Sequence, residues 1–237
     1  MLRALSLIFV FFMLTACENL TQVLDTGAQV SEAAGYSPTQ LNNAVKEALQ
    51  LSVTRAADNL GQAGGYSDNN RWRLGLPESI QPVAGTLRQF GLGGPLDKVE
   101  SSMNRGAELA AAEAKGVFLD VVKGLSVQNA IGIVRGGETA ATDYFRSAAE
   151  AQLSVRYKSL MQTQLQQVGF YPQYQQLLGT YKTLPIANKP NLDLEDYAVK
   201  QGLQALFGQI AEEEKKIRAN PVEQGTALIA AIFGNKP

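Results

Sequence analysis

Five prolines divide this chain in a way that leaves little choice of fold. Pro38, Pro77, Pro95, Pro172 and Pro221 each stand at the start of a stretch whose apolar residues recur with a helical period. Proline fits the first turn of a helix, where its missing N–H is not needed, but it breaks helix interiors and central strands. The clearest start is Ser37-Pro38-Thr39-Gln40. Ser37 can cap the first turn and Gln40 can close the capping box. Behind it Leu41, Ala44, Val45, Ala48, Leu49, Ser52, Val53, Ala56 and Leu60 keep a period of about 3.6 residues, and Gly61 is expected to end the run.

The same reading predicts a helix over 77–90 and a long Ala-rich helix from Pro95 to Gly124, with a break near Glu113 to Gly116. Leu96, Val99, Met103, Ala107, Ala110 and Ala114 form the buried stripe of that helix. Ser126 is expected to cap a short helix ending at Arg135. Helices follow over 138–168, broken once, over 172–183, and from Asp193 through Ile217. Asn220-Pro221-Val222-Glu223 opens the last helix, with Leu228, Ile229, Ile232 and Phe233 inside. No alternating run rich in β-branched residues interrupts the series. The expected fold is all-α, a compact multi-helix bundle of about seven to nine helices.

Ahead of this domain lies a different kind of segment. Arg3 precedes an apolar core from Ala4 to Met13, and small residues lead up to Cys17, the one cysteine of the chain. The core is too short to cross a bilayer, which takes about 20 apolar residues. It reads as an export signal. Leu14-Thr15-Ala16-Cys17 resembles the bacterial lipobox, which implies lipid transfer to the Cys17 sulfur and cleavage before it. The expected organisation is a signal peptide over 1–16, a lipidated tether over 17–36, and one helical domain over 37–237. Glu18 follows the cysteine, where Asp would resemble the inner-membrane retention signal of Gram-negative lipoproteins. The expected location is therefore the periplasmic face of the outer membrane, with the inner membrane second.

Composition narrows the chemistry. The chain has no histidine, which removes His-based triads, His metal ligands and His acid–base catalysis. Lys and Arg total 21 against 22 Asp and Glu, a net charge of −1. That balance gives no basic excess for nucleic acid.

Several polar groups are candidate sites. Asn104, Arg105 and Glu108 form a polar cluster on the Ala-rich helix, and Asp97, Glu100, Asn104 and Glu108 along one flank could hold a hard cation or supply paired carboxylates. The expectation is structural, with Arg105 and Glu108 paired and all three flanking the core. Glu212 to Arg218 is the densest charge run, with Glu212–Lys216 and Glu214–Arg218 spaced i,i+4. It reads as a solvated face, and Glu212, Lys215, Lys216 and Arg218 as a face for a partner. Trp72 between Arg71 and Arg73 could touch lipid headgroups or a glycan, or fold back onto the core, which is the expectation. Gly136-Gly137 before a helix could bind an anion through backbone N–H groups or simply turn.

Leu76-Pro77, Ser102-Met103-Asn104-Arg105 with Glu108, Ala140-Ala141-Thr142 with Tyr144-Phe145, and Ile210 through Arg218 occur together in this order. In that spacing the chain resembles the bacterial family DUF4197 over roughly residues 38 to 234. The resemblance implies an exported helical domain and brings no activity, substrate or catalytic residue with it. The expected function is a lipid-anchored envelope lipoprotein whose domain is a non-enzymatic binding or structural module, with an envelope protein as partner. The alternatives are a helical carrier of a lipid or other apolar ligand, and a carboxylate-based cell-wall hydrolase. No cofactor and no metal are expected.

Overall fold

The computed structural model describes residues 35–185, 189 and 191–234. The stretch read as an export signal, Cys17 and nearly all of the expected tether fall outside these residues. The described chain forms α1 (Pro38–Gly61), α2 (Gln81–Gln89), α3 (Gly93–Gly124), α4 (Ala130–Arg135), α5 (Ala140–Gln167), α6 (Phe170–Thr183), α7 (Leu194–Ala219), α8 (Pro221–Gln224) and α9 (Ala227–Gly234). No strand occurs among the described residues.

Four long helices carry the architecture. α1 lies against α3, α3 against α5, α5 against α7, and α7 against α1, closing a ring around one connected apolar core. Phe118 of α3, Phe145 of α5 and Phe207 of α7 meet at its centre with ring centroids 5.6 to 6.1 Å apart. Each such ring contributes about 1.5–3 kcal/mol on leaving water. Small residues let the helices approach closely. A side chain on Gly61 would strike Ala112 at 2.9 Å, and one on Gly106 would strike Leu165 at 2.8 Å. Gly61 is therefore a crossing point of α1 on α3, as well as the last residue of its helix.

The first helix forms as its sequence predicts. The Ser37 hydroxyl accepts from the Gln40 N–H and the Gln40 side chain accepts from the Ser37 N–H. Elsewhere the boundaries differ. The chain over 77–80 is a turn, and α2 starts at Gln81 with Pro82 in its first turn. Pro95 and Pro172 also sit inside the first turns of α3 and α6. α3 runs unbroken for 32 residues and α5 for 28, so neither expected break occurs. In both helices the apolar stripe continues through the polar interruption, and burial outweighs it. Asn129, not Ser126, caps α4: its side chain accepts from the Gly132 N–H at 3.1 Å. Gly169, at φ 74°, provides the left-handed turn from α5 into α6. The expected last helix is two, α8 and α9, and the Thr226 hydroxyl accepts from Ile229 N–H at the second start.

Candidate functional site

Two buried acidic centres hold the bundle together, and both coincide with residues singled out in the sequence. The first is on α3. Asn104 is buried and clamps the backbone of Leu74: its carbonyl accepts from Leu74 N–H and its amide donates to Leu74 C=O, both at 2.9 Å. Four residues on, Glu108 is 2% exposed. Its Oε1 accepts from the N–H groups of Gly64 (3.0 Å), Ser67 (3.2 Å) and Tyr66 (3.4 Å), and from the Ser67 hydroxyl (2.9 Å). Arg105 Nη1 donates to its other oxygen at 3.1 Å. The loop between α1 and α2 is thus wrapped on α3 by two side chains one turn apart.

The expected Arg105–Glu108 pair forms. The expectation that all three residues flank the core is corrected, since Asn104 and Glu108 lie inside it. The loop covers that side of α3, and no periodicity within α3 announces a loop. Burial alone would raise the Glu108 carboxyl. The bonds from Ser67, Arg105 and Tyr66 outweigh it and hold the group below its ordinary range. Asp97 and Glu100 do not join the cluster, because Arg88 holds the first at 2.9 Å and Arg73 the second at 2.7 Å. Among the described residues no group of three or more His, Cys, Asp or Glu is placed to hold a metal ion.

The second centre is the charge run of α7. Glu214 and Arg218 do pair at i,i+4, at 2.7 Å, but the pair is buried. Glu214 also accepts from Ala141 N–H (2.9 Å), Thr142 N–H (2.7 Å) and the Thr142 hydroxyl (2.6 Å). It therefore caps the N-terminus of α5 from a neighbouring helix, where acids are favoured. Arg218 donates to the carbonyls of Ile133 and Val134, at the end of α4, both at 3.0 Å. Phe233 of α9 lies under its guanidinium at 4.7 Å. The anion that the Gly136-Gly137 turn could have offered its helix to is thus Glu214 of the same chain.

The reading of 212–218 as a solvated face is corrected accordingly. Glu213 is buried as well, accepting from Lys216 (2.7 Å), Gln209 (3.1 Å) and Asn59 (3.3 Å). Glu212 bonds Lys215 and Arg71, both at 3.0 Å, rather than Lys216. Of the four residues assigned to a partner face, Glu212, Lys215 and Lys216 retain solvent contact and Arg218 does not. Trp72 turns back on the domain. Its indole N–H donates to Gln209 at 2.7 Å, and its ring fills the space a side chain on Gly208 would need.

Sequence reasoning missed Glu213, Thr142 and Ser67. Three consecutive glutamates look alike in sequence, and only the helices around them decide which face water. Two tyrosines complete the interior. Burial pushes the phenols of Tyr66 and Tyr157 well above the ordinary 10, and Tyr66 donates to the Gly202 carbonyl at 3.0 Å.

Two open hollows flank α5. The larger, about 700 Å³, lies between α5 and α7 and already contains the pairs Arg146–Glu150 (3.4 Å) and Lys158–Asp196 (2.8 Å). The smaller, about 350 Å³, lies between α5 and the end of α3. Among the described residues no helix is long and apolar enough to cross a membrane.

Comparison with known proteins adds a family and no activity. No curated protein and no solved structure matches the chain. The family model described as "Protein of unknown function (DUF4197)" matches residues 35–234, a span containing α1 to α9 and both acidic centres. The chain belongs to the DUF4197 family.

Proposed function

We propose that this protein is a lipid-anchored envelope lipoprotein whose helical domain is a non-enzymatic binding or structural module at the periplasmic face of the outer membrane. The observation that carries the reading of the domain is the satisfied state of its buried acids. Glu108, Glu213 and Glu214 each accept from three or more protein donors, including the loop over 64–67 for Glu108, Asn59 of α1 for Glu213 and the start of α5 for Glu214. A general acid or base needs its proton or lone pair free to face a substrate. These carboxylates are directed at the protein itself. The close helix contacts at Gly61 and Gly106 also favour a packed module over a carrier with interior space. The anchor rests on the coincidence of the lipobox with the sole cysteine.

The test has two arms. Labelled palmitate is expected in the full chain and absent after Cys17→Ser; label retained in that variant overturns the anchor. Purified full chain is expected to release no fragments from peptidoglycan and to carry no stoichiometric lipid beyond its covalent one. Release that disappears in Glu108→Gln, or a co-extracted lipid seen by mass spectrometry, overturns the non-enzymatic binding reading.

A further inference from the structure

Residues 68–73 form an arm with a frame of its own. The Asn69 side chain accepts from the N–H groups of Arg71 (3.0 Å) and Trp72 (3.2 Å), and Arg73 N–H donates to the Asn69 carbonyl (2.9 Å). Both feet of the arm stand on α3. Glu108 holds one through Gly64 and Ser67, and Asn104 holds the other through Leu74. The arm itself is docked differently. Arg73 pairs with Glu100 of α3 at 2.7 Å and Arg71 with Glu212 of α7 at 3.0 Å, and both arginines are exposed. Between them Trp72 lies half-buried on α7, bonded to Gln209, with the Arg71 guanidinium 4.7 Å above its ring.

The charges that dock the arm are unequal in acid. A guanidinium stays cationic at any pH a protein survives, whereas its carboxylate partners do not stay anionic. Bonds from Lys215 and Arg71 outweigh burial and hold Glu212 below the ordinary 4.5. Its grip on Arg71 is therefore present above that value and is lost as pH falls through the lowered one. Glu100 faces Arg73 and, from α7, Tyr197. Glu108 under the near foot faces Arg105 and Tyr66, and Asp68 is the arm's own carboxylate. The chain has no histidine, so no side chain with an ordinary value between about 5 and 8 titrates first. Once Glu100 and Glu212 are protonated, the arm presents an Arg-Trp-Arg triplet whose two cations lack partners. A phosphodiester keeps its negative charge at that pH and accepts the guanidinium fork in the same geometry as a carboxylate. An indole between two cations belongs at the headgroup level of a bilayer.

We propose that residues 68–73 are an acid-released membrane-contact arm, in which Arg71 and Arg73 exchange the carboxylates of Glu212 and Glu100 for the phosphates of an anionic phospholipid surface and carry Trp72 with them. The contact needs no lipid on Cys17, so it and the reading of the anchor fail separately.

Trp72 is the sole tryptophan, and its fluorescence reports the arm directly. The full chain with Cys17→Ser is mixed with vesicles of phosphatidylglycerol and phosphatidylcholine that carry nitroxide-labelled headgroups. The N-terminal apolar stretch is common to all variants, so differences between them belong to the arm. Trp72 is expected to be unquenched at about pH 7 and quenched at about pH 4, with the helical circular dichroism retained. Vesicles of phosphatidylcholine alone are expected to give no quenching. Glu100→Gln with Glu212→Gln copies the protonated pair and is expected to give quenching already at about pH 7, which decides the matter should the helical signal fall in acid. Adding Arg71→Gln and Arg73→Gln to that variant is expected to abolish it. An unquenched Trp72 in the Glu100→Gln, Glu212→Gln chain overturns the proposal. So does quenching that survives the arginine replacements, or equal quenching on phosphatidylcholine.

Discussion

Replacing Glu214 by Ala separates the two readings of the α7 charge run most sharply. Glu214 is 1% exposed, and its partner Arg218 is 5% exposed. The substitution removes the acceptor for two backbone N–H groups at the start of α5, for the Thr142 hydroxyl, and for the Arg218 guanidinium. Arg218 keeps its bonds to Ile133 and Val134 but loses, in a buried setting, the one carboxylate it pairs with among the described residues. Breaking a buried pair in this way costs about 3–5 kcal/mol. Glu212, two residues earlier, bonds Lys215 and Arg71 at a partly exposed position. Its replacement by Ala is expected to cost about 0.2–1 kcal/mol. For a chain of this length the Glu214→Ala cost lowers Tm by roughly 6–20 °C. Thermal unfolding followed by circular dichroism at 222 nm, with urea unfolding as the second measure, reads both variants against the parent. Similar losses for Glu212→Ala and Glu214→Ala would refute the argument, because they would mean that the run faces water throughout.

Glu108 predicts an acid dependence. Its folded carboxyl titrates below the ordinary 4.5, so its contribution is present above that value and is lost as pH falls through the lowered one. Urea unfolding between about pH 6 and about pH 3 should therefore show a steeper loss in the parent than in Glu108→Gln; parallel curves would count against the donor set around Glu108. Arg105 is half exposed, and Glu108 retains four other donors without it, so Arg105→Ala is expected to cost about 1 kcal/mol or less by the same unfolding assay. Tyr66 and Tyr157 should stay protonated past pH 10 and ionise only as the fold is lost, since burial raises both and stability falls as pH rises through their folded values. Phenolate absorbance that saturates for all tyrosines while the helical signal is intact would contradict that burial.

The all-α reading came from features that act within a few residues. Ser37, Pro38 and Gln40 close a local box, and the stripe from Leu41 to Leu60 needs only its own spacing. The starts at Gln81 and Asn129 were harder to read because several residues could serve. Pro77 and Pro82 compete for one start, and Ser126 and Asn129 for another. The acidic centres were legible as residue types but not as burial. Asn104 and Glu108 go inside because a loop some 30 to 44 residues earlier covers them. Glu214 goes inside because α4, α5 and α9 converge on it and Arg218. That information resides in tertiary placement, and a helical wheel of α7 alone contains none of it.

The cap of α5 has a further consequence for how the chain acquires its shape. The carboxylate that closes the α5 N-terminus arrives 72 residues after Thr142 in the sequence. Tyr36, at the entrance to α1, bonds the carbonyl of Ala231, 195 residues later. A nascent chain ending before α7 therefore has α5 with open N–H groups and α1 without its last neighbours. Local helices can form and dissolve in such a fragment, but their ends remain unmet until the last fifth of the chain is available. Folding is thereby tied to completion of the polypeptide, and the long helices settle together only once the last ones are made.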